Sequence, residues 1–196
     1  MNGALGGPVN GTAGGGPGAV APATLRDMAA ADVDHVTAMD AALFGIDCWP
    51  RQLFMNELAA PDTRRYIVAE VAAAPGGGSA GPARVVGYAG LMCVPPIGDI
   101  QTVGVLPEFE GRGIARAMMV ELIEEARRRG ARDVMLEVSS TNPRAQDLYR
   151  RFGFEHIHTR RRYYRDGSDG LVMRLSLARR DRGNSDTASA DTKEPS

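Results

Sequence analysis

The chain has 196 residues, 43% of them apolar and 24% charged, with a formal net charge of −1; this suffices for one packed domain of roughly 150 residues plus tails. The near-neutral charge excludes a global basic field for nucleic acid or an anionic membrane. Two cysteines, Cys48 and Cys93, exclude a disulfide framework and a C-x-x-C pair, and no run of about 20 apolar residues offers a transmembrane helix.

Met1 to Pro22 is Gly, Ala and Pro, with neither the positive charge nor the apolar core of a signal peptide. Residues 1–23 are therefore expected to be a disordered tail, as are 178–196, rich in Arg, Asp, Ser and Thr. The folded domain is expected over 24–177, with 72–83 (AAAPGGGSAGPA) as a flexible hairpin loop inside it. A soluble cytoplasmic protein follows as the expectation.

Val33, Val36, Met39 and Leu43 recur at helical spacing. Trp49-Pro50 opens a second helix with Leu53, Phe54 and Leu58, ended by Pro61-Asp62. Arg65 to Val71 and Val85 to Val94 read as strands, and Pro95-Pro96-Ile97-Gly98 as a break before a strand over Asp99 to Val105. Gly113 to Arg129 is the strongest helix, with Ile114, Met118 and Leu122 on one stripe and Ala115, Met119 and Ile123 beside it. Glu124–Arg128 and Glu125–Arg129 are expected as i,i+4 pairs, Gly130 as the cap, and Arg127 to Arg129 as a solvated helix end.

Asp133 to Val138 alternates as a strand. Asn142-Pro143 combines an N-cap with Pro at the first helical position, and Ala145, Leu148, Tyr149 and Phe152 form the stripe of the helix that Gly153 ends. His156 and His158 are expected on one strand face; with no third ligand at useful spacing, no metal site is expected. Arg160 to Tyr164 and Leu171 to Leu177 flank the turn Asp166-Gly167-Ser168-Asp169-Gly170 as a hairpin. The order is an α/β domain of about four helices and six or seven strands.

The informative segment is Ile100 to Arg116, IQTVGVLPEFEGRGIAR. A strand runs into Pro107, and Gly111-Arg112-Gly113 then leads directly into the long helix. Glycines there let a ligand approach the unpaired N–H groups of the helix start, where the dipole favours an anion. Arg112 and Arg116 add positive charge. A phosphate or pyrophosphate site and a plain Gly-rich strand-to-helix turn both fit. A Walker loop is excluded because no Gly-Lys pair occurs, and a Rossmann fingerprint because position 116 is Arg rather than the third Gly.

Glu110-Gly111-Arg112-Gly113-Ile114-Ala115 resembles the [RQ]-x-x-G-x-[GA] motif of the GNAT acetyltransferase superfamily, with Glu110 in place of Gln or Arg. Leu136-Glu137-Val138, Asn142, Leu148-Tyr149 and Phe152-Gly153-Phe154 resemble the branch that acetylates the N-terminal alanine of a bacterial ribosomal protein. Arg161-Arg162-Tyr163-Tyr164, Asp169 to Met173, and Trp49-Pro50 with Phe54, Glu57 and Leu58 resemble that branch too, so the likeness spans about Leu25 to Leu177.

The resemblance implies a single GNAT-like domain with a mixed, mostly antiparallel twisted sheet. It implies acetyl-CoA as co-substrate, no metal, and a protein N-terminus as acceptor: the alanine of a small-subunit ribosomal protein, without direct nucleic-acid or membrane partners. Lysine side chains or a small-molecule amine are the alternative acceptors. Near pH 7.4 roughly a quarter of a protein α-amine is neutral, against about one lysine in a thousand, so a weak base suffices for an N-terminus.

By the same resemblance Glu137 is the general base and Tyr149 the general acid, its phenol protonated at neutral pH. Val103, Gly104 and Val105 would bind the pantetheine arm and stabilise the oxyanion. Gly111, Arg112, Gly113, Ile114, Ala115 and Arg116 would take the pyrophosphate, and Asn142 is a coenzyme A contact. Each has a plainer alternative: an edge-strand carboxylate for Glu137, an apolar-stripe ring for Tyr149, a simple N-cap for Asn142. Trp49, Tyr163, Tyr164 and Asp169 are expected around an acceptor groove, or else are core and turn residues. Arg160 to Arg162 are candidates for the 3′-phosphate or the acceptor.

Overall fold

The structure, a computed structural model, describes residues 23–72 and 83–177. The expected tails and flexible loop fall on residues outside these. In chain order the elements are β1 (Thr24–Asp27), α1 (Val33–Phe44), α2 (Arg51–Leu58), β2 (Arg64–Val71), β3 (Arg84–Val94), β4 (Ile97–Val105), α3 (Ile114–Arg128), β5 (Asp133–Ser139), α4 (Pro143–Phe152), β6 (Glu155–Arg160) and β7 (Gly170–Ser176).

The strands form one sheet in the order β1-β2-β3-β4-β5-β7-β6. Every neighbouring pair is antiparallel except β4 and β5, which are joined through α3 as a parallel crossover. The sheet is the mixed, mostly antiparallel one expected, with β1 an added edge strand that the sequence reading had not found.

Two cores cover its faces. On one, Met118, Met119, Leu122, Ile123 and Ala126 of α3 pack on Ile67, Ala89, Leu91, Val134, Leu136 and Met173, with Tyr149 of α4 in the same cluster. On the other, Phe54 of α2 is fully buried, its ring 5.4 Å from Trp49, 6.4 Å from Tyr66 and 6.0 Å from Tyr88. Because helices lie on both faces, β2 and β3 are near-continuous apolar runs rather than alternating ones.

Several expectations change on contact with the fold. The strand expected over Arg160 to Tyr164 lies earlier, as β6, and Arg161-Arg162 form a turn, with Arg162 at φ +49. A bulge at Ile157 sets His156 opposite Met173 and His158 opposite Val172, so the two histidines point to opposite faces. Arg128 pairs with Glu125 (2.6 Å) and Glu121 rather than with Glu124. Arg129 is not a solvated end: it pairs with Glu125 at 2.6 Å and donates to the Asp62 carbonyl at 2.9 Å, tying α3 to the turn before β2.

Candidate active site

β4 and β5 are in register only from Ile97↔Asp133 to Ile100↔Leu136. Beyond that point β4 stays with β3, as far as Gly87↔Val105, and β5 stays with β7, as far as Ser139↔Gly170. The two strands therefore part, leaving residues 101–105 and 137–139 with inner edges that no strand among the described residues covers. A bulge marks the parting: Gly90 opposes Thr102 and Leu91 opposes Ile100, so Gln101 is the extra residue. Its Oε1 accepts from the Tyr66 hydroxyl at 2.7 Å, while its buried Nε2 has no hydrogen-bond partner among the described residues.

A cleft of about 670 Å³ opens beside this gap on the α3–α4 face. Val103, Gly104, Val105, Gly111, Gly113, Ile114, Ala115, Arg116, Asn142 and Tyr149 line it, so the fold gathers these sequence-predicted residues in one place. Gly113 caps α3 at φ +80, a conformation that suits glycine, and no side chain among the described residues caps the helix. The first amides of α3 and its positive dipole end thus border the cleft without an internal partner, as an anion site requires. Asn142 caps α4, accepting from the Ala145 amide at 3.0 Å, and lines the cleft as well.

Two sequence-predicted residues stand differently. Arg112 does not line the cleft: its guanidinium donates to the Glu108 carbonyl at 2.8 Å and lies 4.9 Å from the centre of the Phe109 ring. Gly104 has a packing reason of its own, since a Cβ there would lie 2.5 Å from the Tyr88 ring on the far face of the sheet. The Tyr88 hydroxyl in turn donates to the fully buried Asp40, which also accepts from the Trp49 amide at 2.5 Å. Burial pushes the Asp40 carboxyl up to about 6.

Glu137 and Tyr149 lie on opposite faces. Val134, Leu136 and Val138 of β5 belong to the α3–α4 core, so Glu137, between them, faces the α1–α2 side. Its carboxylate accepts from the Tyr163 hydroxyl at 2.7 Å and forms an ion pair with Arg160. Asp99, diagonal to it across β4, is pushed up to about 6 by burial and by the charge of Glu137. Tyr149 is buried on the other face, its phenol raised to about 12 by burial, with no hydrogen-bond partner among the described residues. The gap where β4 and β5 part lies between the two residues, and Leu43 and Phe44 of α1 also line the cleft.

Of the expected acceptor-groove residues, Tyr163 meets Glu137. Tyr164 is buried edge-on against Tyr163, Trp49 is core, and Asp169 accepts from the Arg162 amide at 2.8 Å in the turn. Asp99 and Gln101 were missed, and Arg160, expected at the 3′-phosphate or the acceptor, pairs with Glu137 instead. A charged residue beginning an otherwise apolar strand was the available signal for Asp99. For Arg160 there was none, because its partner is set by the β5–β7–β6 pairing.

The acetyltransferase (GNAT) family matches residues 41–154. The chain belongs to the GNAT acetyltransferase family. It is 38% identical over 159 residues to the N-alpha-acetyltransferase RimI of Mycobacterium tuberculosis, covering 78% of this chain and 92% of that one. It is 29% identical over 156 residues to a putative [ribosomal protein bS18]-alanine N-acetyltransferase of Bacillus subtilis, covering 79% and 96%. The crystal structure of the ribosomal-protein-S18-alanine N-acetyltransferase of Escherichia coli has the same fold, with a TM-score of 0.65 at 22% identity over 79% of this chain and 94% of that one. This GNAT protein is an acetyl-CoA-dependent N-acetyltransferase. The split strands, the uncapped α3 start and the size of the cleft fit that co-substrate.

Proposed function

We propose that the chain transfers an acetyl group to the N-terminal α-amine of a protein, the alanine terminus of a small-subunit ribosomal protein, and that it works in the cytoplasm, where ribosomal proteins are made. The observation that carries this reading is the likeness to the N-alpha-acetyltransferase RimI along nearly that protein's whole length. The placing of Glu137 and Tyr149 on either side of one sheet opening supports it.

Acetyl-CoA, when bound, supplies an acetyl thioester. The α3 amides at Ile114 to Arg116 and the free edge of Val103 to Val105 would hold it, the edge amides facing the acetyl oxygen as negative charge develops there. Glu137 would take a proton from the acceptor ammonium on the α1–α2 side, a modest task for an α-amine whose pKa is about 7.7–8.0. Tyr163 and Arg160 fix the Glu137 carboxylate from the β6–β7 connection. The raised phenol of Tyr149 keeps its proton at neutral pH and would give it to the departing sulfur.

Two peptides offered with acetyl-CoA test the reading by product mass: one with a free N-terminal Ala and no lysine, the other with a blocked N-terminus and internal lysines. Acetylation of the first alone is expected. Acetylation of the second alone, or of neither, overturns the reading.

A further inference from the structure

The cofactor loop opens with an acid, Glu110, where the motif it resembles carries Gln or Arg. A bare carboxylate beside a diphosphate would repel it, yet this side chain is largely buried at the cleft, only 15% exposed. It is not bare. The Arg144 guanidinium, from the first turn of α4, forms an ion pair with it through Nη1.

The position of Arg144 is not explained by its own helix, because a cation in the first turn sits against the positive end of the dipole. Its second terminal nitrogen, Nη2, has no hydrogen-bond partner among the described residues and lies 4.0 Å from where a Cβ on Gly111 would stand. A guanidinium offers five donors in a planar fork that matches phosphate oxygens, and Glu110 occupies one branch only. Both side chains line the same cleft as the uncapped start of α3.

Resting on the assignment of this cleft to acetyl-CoA, we propose that Arg144 supplies, from α4, the phosphate-binding cation missing from the first position of the cofactor loop, and that Glu110 holds its guanidinium over Gly111. The acid at 110 is then a positioning residue. The pair places a cation on the helix facing the loop, and it makes the two residues interdependent. Losing Arg144 alone leaves an uncompensated carboxylate in the phosphate site; losing the charge at 110 as well does not.

A four-protein cycle tests this by the Kd for acetyl-CoA in calorimetry: parent, R144A, E110Q and E110Q/R144A. Arg144→Ala is expected to weaken binding roughly tenfold to a hundredfold. The double variant, which restores the Gln of the resembled motif, removes the uncompensated carboxylate but not the loss of the cation. It is expected to bind more tightly than R144A yet several-fold more weakly than the parent, and this partial recovery also rules out misfolding as the cause. An R144A protein that binds within twofold of the parent overturns the proposal, as does a double variant that is no tighter than R144A or as tight as the parent, the last leaving Arg144 no role beyond neutralising Glu110. A parent that fails to bind acetyl-CoA overturns the cofactor assignment itself, and the proposal with it.

Discussion

The two faces of the sheet are built on different principles. The α3–α4 face is methionine, leucine and valine around a cleft with glycines and arginines at its mouth. The α1–α2 face buries polar groups among aromatic rings: Asp40 with Tyr88 and Trp49, and Glu57 with Tyr66 and Arg64 (2.5 Å). A dry apolar face needs only shape complementarity, whereas each buried carboxylate needs its donors in place and is costly without them. The contrast suits the proposed chemistry: an anion held by backbone amides on one side, and a proton acceptor fixed by side chains on the other.

That contrast can be broken most forcefully at Phe54, the hub of the aromatic layer. Phe54→Ala should cost about 3–5 kcal/mol of stability in denaturant unfolding. A loss below about 1 kcal/mol would mean that this face does not depend on its rings.

Next comes the buried Asp40. Its folded pKa of about 6 stands above the ordinary 3.8. The folded state therefore prefers the protonated form. The stability this group contributes is full below pH about 4 and falls by about 3 kcal/mol as pH rises through 6. Relative to the parent, Asp40→Asn should gain about 3 kcal/mol between pH 4 and pH 8. A difference flat with pH would contradict the shift.

On the cleft side, Tyr149→Phe should lower kcat about tenfold to a hundredfold, with acetyl-CoA binding kept and stability little changed. An unchanged kcat would leave Tyr149 as part of the apolar stripe only. The smallest effect is at the helix cap: Asn142→Ala should cost about 1 kcal/mol in thermal unfolding, through the lost bond to the Ala145 amide.

The faces also differ in how far the sequence reveals them. The 3.6-residue stripe of α3, its glycine entrance, the Asn-Pro start of α4 and Gly153 at its end (φ +91) were legible, because each is a local rule. So was the gathering of the loop and strand residues in one cleft. The polar network was not: Asp40 meets Tyr88 across 48 positions and Arg144 meets Glu110 across 34. Such pairs depend on which strands and helices become neighbours, which no spacing encodes. The β6 misplacement has a related cause. The aromatic pair Tyr163-Tyr164 looks strand-forming by propensity, but its rings are taken up by Glu137 and the turn, and tertiary contact overrides propensity. Gly104 was legible as a position of close approach, and the structure adds the Tyr88 ring as the group that a Cβ there would strike.

In the proposed mechanism a carboxylate on one face and a phenol on the other serve a single acetyl transfer at the gap between β4 and β5. Glu137→Gln keeps the shape and the Tyr163 contact while removing the base. Its rate with the free-alanine peptide, measured beside its Kd for acetyl-CoA, tests the claim most directly. The expected result is a kcat lower by roughly a hundredfold or more with the Kd within about twofold of the parent. A kcat within about threefold of the parent, at unchanged Kd, would contradict it.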